Sequence, residues 1–464
     1  MPSFQRKYNT YRLTFPEFVY DSYRYDVQPE GLHISFRFLL GDKIVFTPSA
    51  FIPARPFLCF NLPRRQMDAY VFSIGMIELI SYWKCCCPPR VIVRCGRLDE
   101  SQVAFWKKIY FLGLGEFFYT NGIKATEADF MTLVSAEEAP LLSPLAEEAS
   151  DPHPSVSDYL VPIGGGKDSA VTLSLLKPHH RVVPLIMNPR GATIGTIEVA
   201  GYTLDDALVI QRRLDPTMLD LNAKGCLNGH TPFSALLAFY TLLGSALSSI
   251  PNVALSNERS ASQPTVLGTQ VNHQYSKSFE FEEDYRTYVR RNLSCTYNYF
   301  SFLRPISELS IALLFSKQCA DYHRVFRSCN VGSKQDVWCG HCAKCLFVYI
   351  ILSPFLTQSQ LEAIFGRNLL DDESLRHEFD QLVGEADTKP FECVGTVEEV
   401  RAALSLLVRQ YDPAAPLPLL LRNFSVVPFE VSLLQPLASQ HNLSAENYTL
   451  LSETLNSLAE NYVR

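Results

Sequence analysis

With 464 residues, 47% of them hydrophobic, the chain is long enough for two or three domains with real cores. A net charge of −7 leaves no basic stripe for a phosphate backbone, which excludes nucleic acid as a first partner. Thirteen cysteines, in a chain that opens Met1-Pro2-Ser3-Phe4-Gln5-Arg6-Lys7 without an apolar leader, imply thiols and metal in a cytoplasmic setting and not a disulfide framework.

In chain order, the pattern predicts a strand at His33–Leu39, an apolar helix around Ala69–Trp83, a strand at Val91–Cys95, and a helix opening near Asp99 and stopping at Gly113. These define an α+β N-terminal domain over residues 1–139. Cys85, Cys86 and Cys87 read as a buried apolar turn before Pro88-Pro89. Prolines, serines and acidic residues then collect over 140–157, a linker. After it, strands at 159–163, 181–187, 207–210 and 252–256 alternate with helices at 168–176 and from about Thr231. That alternation signals a doubly wound parallel sheet with its ligands at the carboxyl ends of the strands. Thr231 is the expected N-cap, with Pro232 at the first helical position. The charge-free stretch Thr231–Asn257 is long enough to span a membrane. Pro232, Gly244 and Pro251 break it, so it reads as a buried helix followed by a strand, and no membrane partner is expected. Residues 158–356 make one domain, and 357–464 a mostly helical C-terminal region interrupted by prolines at 413–418.

The segment Gly164-Gly165-Gly166-Lys167-Asp168-Ser169 lies between the apolar run 159–163 and the helical run 170–176. A strand that turns through glycines into a helix makes an anion site. The glycines let backbone N–H groups approach a phosphate, and the helix N-terminus adds partial positive charge. Lys167, Asp168 and Ser169 supply a cation, a metal-capable carboxylate and a hydroxyl. A Walker loop would need glycine where Val161 stands.

Cys329, Cys339, Cys342 and Cys345 follow C-x9-C-x2-C-x2-C, a spacing that closes a thiolate tetrahedron around zinc, with Gly340 allowing the tight turn. A ferredoxin-type run would place another cysteine where Tyr349 stands, which favours zinc over iron–sulfur. With all four thiols committed, such a metal is structural.

The glycine segment resembles the loop of the PP-loop ATP pyrophosphatases, with Gly164 in place of their usual serine. The cysteine pattern, with Ser328 and Gly332, is similar to the zinc knuckle of 7-cyano-7-deazaguanine synthase, itself a PP-loop enzyme. Four further segments are Phe72–Trp83, Gly115-Glu116-Phe117-Phe118-Tyr119-Thr120-Asn121-Gly122, Ser256–Ala261 and Val271-Asn272-His273-Gln274-Tyr275-Ser276-Lys277. Together with the order of parts, they resemble the bacterial UDP-N-acetylmuramoyl-L-alanyl-L-glutamate epimerases over most of the chain. The resemblance implies a PP-loop (adenine nucleotide alpha-hydrolase-like) fold over 158–356, with ATP and Mg²⁺ at Gly164–Ser169 and zinc on the four cysteines. It further implies an ATP-dependent epimerase of peptidoglycan precursor synthesis. That enzyme adenylates a carboxylate of the UDP-linked muramoyl dipeptide, inverts its terminal L-Glu to D-Glu, and releases AMP and diphosphate. A functional link to the ligase that adds the L-Glu follows. The logic is sound: adenylation neutralises the carboxylate beside Cα, so the carbanion becomes an enolate that donors can stabilise.

For the proton transfer, Lys277, His273 and Glu258 are the candidate bases. Lys277 and Arg259 also suit recognition of substrate carboxylates, and His230 and Cys226 rank lower, the thiol by virtue of an expected helix N-terminus. The alternatives are another PP-loop adenylating enzyme, of deazaguanine-type amide or nitrile synthesis or tRNA sulfur transfer, and a nucleotide-binding scaffold on a decayed loop.

Overall fold

The computed structural model describes residues 4–141, 158–266, 268–294, 296–437 and 439–463, so most of the predicted linker lies outside the described residues. The strands in chain order are β1 (Glu17–Gln28), β2 (Gly31–Leu40), β3 (Ile44–Phe46), β4 (Ser49–Pro53), β5 (Arg90–Val93), β6 (Thr132–Ser135), β7 (Asp158–Pro162), β8 (Arg181–Met187), β9 (Leu208–Arg213), β10 (Asn252–Leu255) and β11 (Asn298–Ser301). The chain forms two compact units, each assembled from three separate segments. The first comprises Met1–Val156, Leu208–Val253 and Gln270–Asn298; the second comprises Ser157–Ala207, Ala254–Thr269 and Tyr299–Arg464.

In the first unit the strands run β9-β4-β2-β1-β5-β6, with β3 beside β2. β1 and β2 form a long antiparallel pair whose register shifts between Tyr20 and Ser22, and β5 lies parallel to both β1 and β6. The shift is a bulge, which turns the inward row that begins with Phe18 and Tyr20 and spoils the simple alternation that would have marked β1 in the sequence. β9 pairs antiparallel with β4, so this strand of the predicted parallel series belongs to a mixed sheet. The helix Arg64–Trp83 buries 16 of its 20 residues, and so has no polar face to give it an amphipathic signature. It crosses β1 so closely that a Cβ on Gly75 would overlap the Tyr20 hydroxyl. Its buried Glu78 takes a two-pronged ion pair from Arg212, at 2.5 and 2.7 Å. The helix Glu100–Gly113 starts as predicted, at an Asp99 and Gln102 capping box. Thr231 is not a cap: the helix runs Phe233–Ser248 with Pro232 at its N-cap and no side-chain cap bond. The fixed φ of Pro232 moves the start past the threonine, whose carbonyl takes the Phe233 N–H instead.

In the second unit the order is β11-β10-β7-β8, and β7 pairs with β8 in parallel. The helix Lys167–Leu176 joins these two strands, a βαβ crossover. β8 lies on one side of β7 and β10 on the other, so the strand order reverses at β7. The crevice outside the carboxyl ends of β7 and β10 is where such sheets hold ligands. Helices Glu308–Gln318 and Ala343–Leu352 are almost wholly buried, and the tail adds Gln358–Phe365, Arg376–Val383, Val397–Val408 and Ala445–Val463. Among the described residues no helix is long and apolar enough to cross a membrane.

Candidate functional site

The carboxyl ends of β7, β10 and β11 lead to one group of charges. After β7 the chain turns at Gly165, whose φ is +81° and whose Cβ, if present, would lie 2.9 Å from Ala192 Cβ and 3.0 Å from the Ala192 carbonyl carbon. Only glycine fits there. Gly166 opens the helix with no side-chain cap bond, and nothing lies within 4 Å of a Cβ built on Gly164. Lys167, 3% exposed, bonds both Asp168 and Glu308. Burial alone would lower its pKa, but the two carboxylates reverse the sign and hold it above the ordinary lysine value.

Glu258 follows β10 and Glu308 follows β11, and both are buried. Carboxylate oxygens of Asp168, Glu258 and Glu308 lie within 4.8 Å of one another. Lys167 is the ammonium bonded here, and the charges of the buried Lys344 and Lys389 also act on the cluster. Burial raises the Glu308 pKa, Lys167 draws it back, and Asp168 and Glu258 push it up again. The backbone here is fixed from all sides. Arg304 donates to the Glu258 carbonyl at 2.7 Å, the Arg259 N–H reaches Ile306 O at 3.2 Å, and Glu399 accepts the Glu308 N–H at 2.9 Å. Carboxylate oxygens on a rigid frame are the kind of donor set that a hard divalent cation takes.

The four predicted cysteines come together. Their sulfurs lie 3.9 Å (Cys329–Cys342), 3.7 Å (Cys339–Cys345) and 3.5 Å (Cys342–Cys345) apart. Tetrahedral zinc with bonds near 2.3 Å separates its sulfurs by about 3.8 Å, so the residues fit this ion. A four-iron cluster spreads its thiolates over four irons and would hold them farther apart. N–H groups of Gly332 and His341 donate to Cys329 Sγ at 3.1 Å and Cys339 Sγ at 3.4 Å. The same segment braces the glycine turn. Arg327 N–H donates to Gly165 O at 2.7 Å, and Asp336 accepts N–H bonds from Gly191 and Ala192 at 2.8 and 3.0 Å. Ala192 is the residue against which Gly165 closes.

Of the predicted bases, Glu258 belongs to the second unit, whereas His273 and Lys277 belong to the first. There Glu116 Oε2 contacts His273 Nδ1 and lies 3.6 Å from His230 Nδ1, and the two imidazole rings are 4.5 Å apart. Burial, followed by the charges of His273, Lys84 and Lys277, pushes His230 down to about 3 and keeps it neutral. Cys226 does not stand at the expected helix N-terminus: it follows the carboxyl end of the helix Pro216–Ala223, and its N–H bonds the Leu221 carbonyl. Glu308 and Glu116 were not foreseen, since each lies more than a hundred residues from its partner and neither stands in a spacing motif.

These features define an α/β protein with a glycine turn that opens a helix, a carboxylate cluster and four thiols close enough to hold one metal ion. Residues 9–302 match the MurL N-terminal domain and residues 325–422 the MurL C-terminal domain. The chain is 34% identical over 398 residues to a protein of Xanthomonas oryzae pv. oryzae (83% of this chain, 84% of the relative). It is 37% identical to proteins of a Micromonospora species (74% and 77% covered) and Salinispora tropica (73% and 72%). Each of the three is named UDP-N-acetyl-alpha-D-muramoyl-L-alanyl-L-glutamate epimerase. No solved structure matches significantly. The chain belongs to the MurL family.

Proposed function

We propose that this protein is an epimerase that inverts the terminal L-Glu of UDP-N-acetylmuramoyl-L-alanyl-L-glutamate, with ATP cleaved to AMP and diphosphate. The observation that carries the nucleotide half of this reading is Lys167, buried between two carboxylates at an uncapped helix N-terminus behind three glycines. Bound ATP supplies the adenylyl group that neutralises the substrate carboxylate and so acidifies the neighbouring Cα–H. On the protein's side, the N–H groups of Gly166 to Ser169 receive phosphate oxygens and Lys167 balances their charge. Asp168, Glu258 and Glu308 would seat Mg²⁺, with Glu258 also a candidate for proton transfer alongside His273 and Lys277. Zinc on Cys329, Cys339, Cys342 and Cys345 would hold the Arg327 and Asp336 braces in place. The relatives' names support the dipeptide substrate.

The test is incubation with ATP, Mg²⁺ and the L-Ala-L-Glu nucleotide in D₂O. Expected are deuterium at the glutamate Cα and AMP formed only when the peptide is present. AMP without isotope would make the protein a ligase or hydrolase. Asp168→Ala should abolish AMP formation.

A further inference from the structure

Glu116, His230 and His273 all belong to the first unit, and the fold holds the three segments that carry them against one another. Asn121, at the end of the short helix Gly115–Thr120, donates through Nδ2 to the Phe117 carbonyl at 2.8 Å and to the Asn228 carbonyl at 3.1 Å. Lys84 Nζ donates to the Gly229 carbonyl, and a Cβ built on Gly229 would stand 3.1 Å from Phe117 Cδ2. On the third segment, Val271 Cα lies 3.6 Å from the place of a Cβ on Gly115, and Asn272 Oδ1 accepts the Gln274 N–H at 2.8 Å. One carboxylate oxygen and one nitrogen from each ring lie within 4.8 Å of one another. Glu116 Oε2 contacts His273 Nδ1 and stands 3.6 Å from His230 Nδ1. Donors on a tetrahedral zinc with bonds of about 2.0–2.1 Å stand about 3.3 Å apart, so a small rotation of the carboxylate admits such an ion. A hydrogen bond between Glu116 and His273 accounts for two of the three residues. It leaves His230, whose Nδ1 lies beyond hydrogen-bond reach of the same oxygen and which an ion between them would engage. The side chains are 15%, 23% and 12% exposed, held in place yet open on one side.

We propose that Glu116, His230 and His273 form a binding site for one divalent transition-metal ion of the zinc type, separate from the four-cysteine site. Imidazole suits such ions, and two imidazoles with one carboxylate bind them while leaving a coordination position open. The ammonium charges of Lys84 and Lys277 reach His230 and oppose a bare dication. Glu116 cancels one charge of the ion, and an anion in the open position cancels the other. The site therefore takes its ion together with an anionic fourth ligand, hydroxide or a small carboxylate. The ligand set lies wholly within the first unit and does not depend on the epimerase reading. Its one bearing on that reading is that a ligating His273 is withdrawn from proton transfer, which leaves Glu258 and Lys277 as the candidates.

The experiment adds cobalt(II) to the full chain in acetate buffer after the four cysteines have been loaded with zinc. Bound metal is counted after gel filtration, and the optical and X-ray absorption spectra of the cobalt are recorded. Expected is one cobalt per chain beyond the zinc, with a shell of nitrogen and oxygen neighbours and without the thiolate-to-cobalt charge transfer that displacement of the cysteine-bound zinc would give. His230→Ala, His273→Ala, His273→Asn and Glu116→Gln should each weaken cobalt binding by about 10-fold or more, at least the loss that follows from mutating a partner outside the ligand shell. The same variants should keep the cysteine-bound zinc and the circular dichroism of wild type. Lys277→Gln, which removes an opposing charge, should tighten cobalt binding several-fold. A wild type that takes up no ion beyond the cysteine site, cobalt that appears only with sulfur neighbours, or uptake retained in folded His230 and His273 variants overturns the assignment. Should a variant unfold, the count and spectra of the wild type decide. Uptake is measured without ATP or dipeptide, so its failure leaves the epimerase reading standing, and failure of isotope exchange in D₂O leaves this site standing.

Discussion

Replacing Gly165 by alanine separates the shape of the turn from its chemistry. At φ +81° an L-residue is in the left-handed region, which costs about 1–2 kcal/mol. The new methyl would also stand 2.9 Å from Ala192 Cβ, 3.0 Å from the Ala192 carbonyl carbon and 3.1 Å from Thr193 N. Two of those neighbours are backbone atoms of the helix Gly191–Val199 and cannot rotate aside, so overpacking adds about 1–3 kcal/mol. Gly165→Ala should therefore destabilise the protein by ~2–5 kcal/mol. Gly164→Ala meets no atom within 4 Å and should leave stability nearly unchanged, while its methyl obstructs the approach of a phosphate. Urea denaturation of both variants, paired with nucleotide binding by calorimetry, makes the comparison. A Gly165→Ala protein as stable as wild type, or a Gly164→Ala protein equally destabilised, would refute the geometric argument.

Three further outcomes are expected. Cys329→Ser, or treatment with a strong chelator, should remove one zinc per chain and weaken ATP binding together, because Arg327 and Asp336 lose their anchor; metal analysis and nucleotide titration check this. Glu78→Gln removes the buried carboxylate that pairs with the largely shielded Arg212 guanidinium and should cost about 3–5 kcal/mol, read by urea denaturation. Asp215 accepts from Thr47 N at 2.6 Å and Thr217 N at 2.7 Å, bonds that outweigh the opposing effect of burial and hold its pKa below 3.8. Its contribution is thus present above the ordinary carboxylate value and lost as the pH falls through the lower folded one. Asp215→Ala should cost about 0.5–2 kcal/mol at neutral pH, and the gap from wild type should close below about pH 4.

The glycine turn and the four cysteines were legible because their chemistry is local. Three glycines before Lys167, and thiols two or nine residues apart, confine the geometry whatever the rest of the fold does. The same holds for the Asp99 start of the helix Glu100–Gly113. Glu308 and Glu116 were illegible because each acquires its meaning from a partner brought in by sheet topology, 141 residues away for Lys167 and 157 for His273. β1 was missed for a different reason: its bulge interrupts the period of two on which strand reading depends. At Thr231 a good capping residue lost to the neighbouring proline, since backbone geometry outranks a side-chain bond there.

The division of each unit into three separated stretches sets an order of assembly on the ribosome. The first unit cannot close until residue 298 has been made, because helix Phe233–Ser248, β9 and His273 all arrive after the glycine turn has been synthesised. The second waits for the tail, whose Asn447 bonds Tyr159 of β7 across 288 residues. Cutting the gene near residue 157 would therefore yield two incomplete polypeptides and no self-sufficient half, and nascent chains would carry uncovered apolar faces until translation is nearly finished.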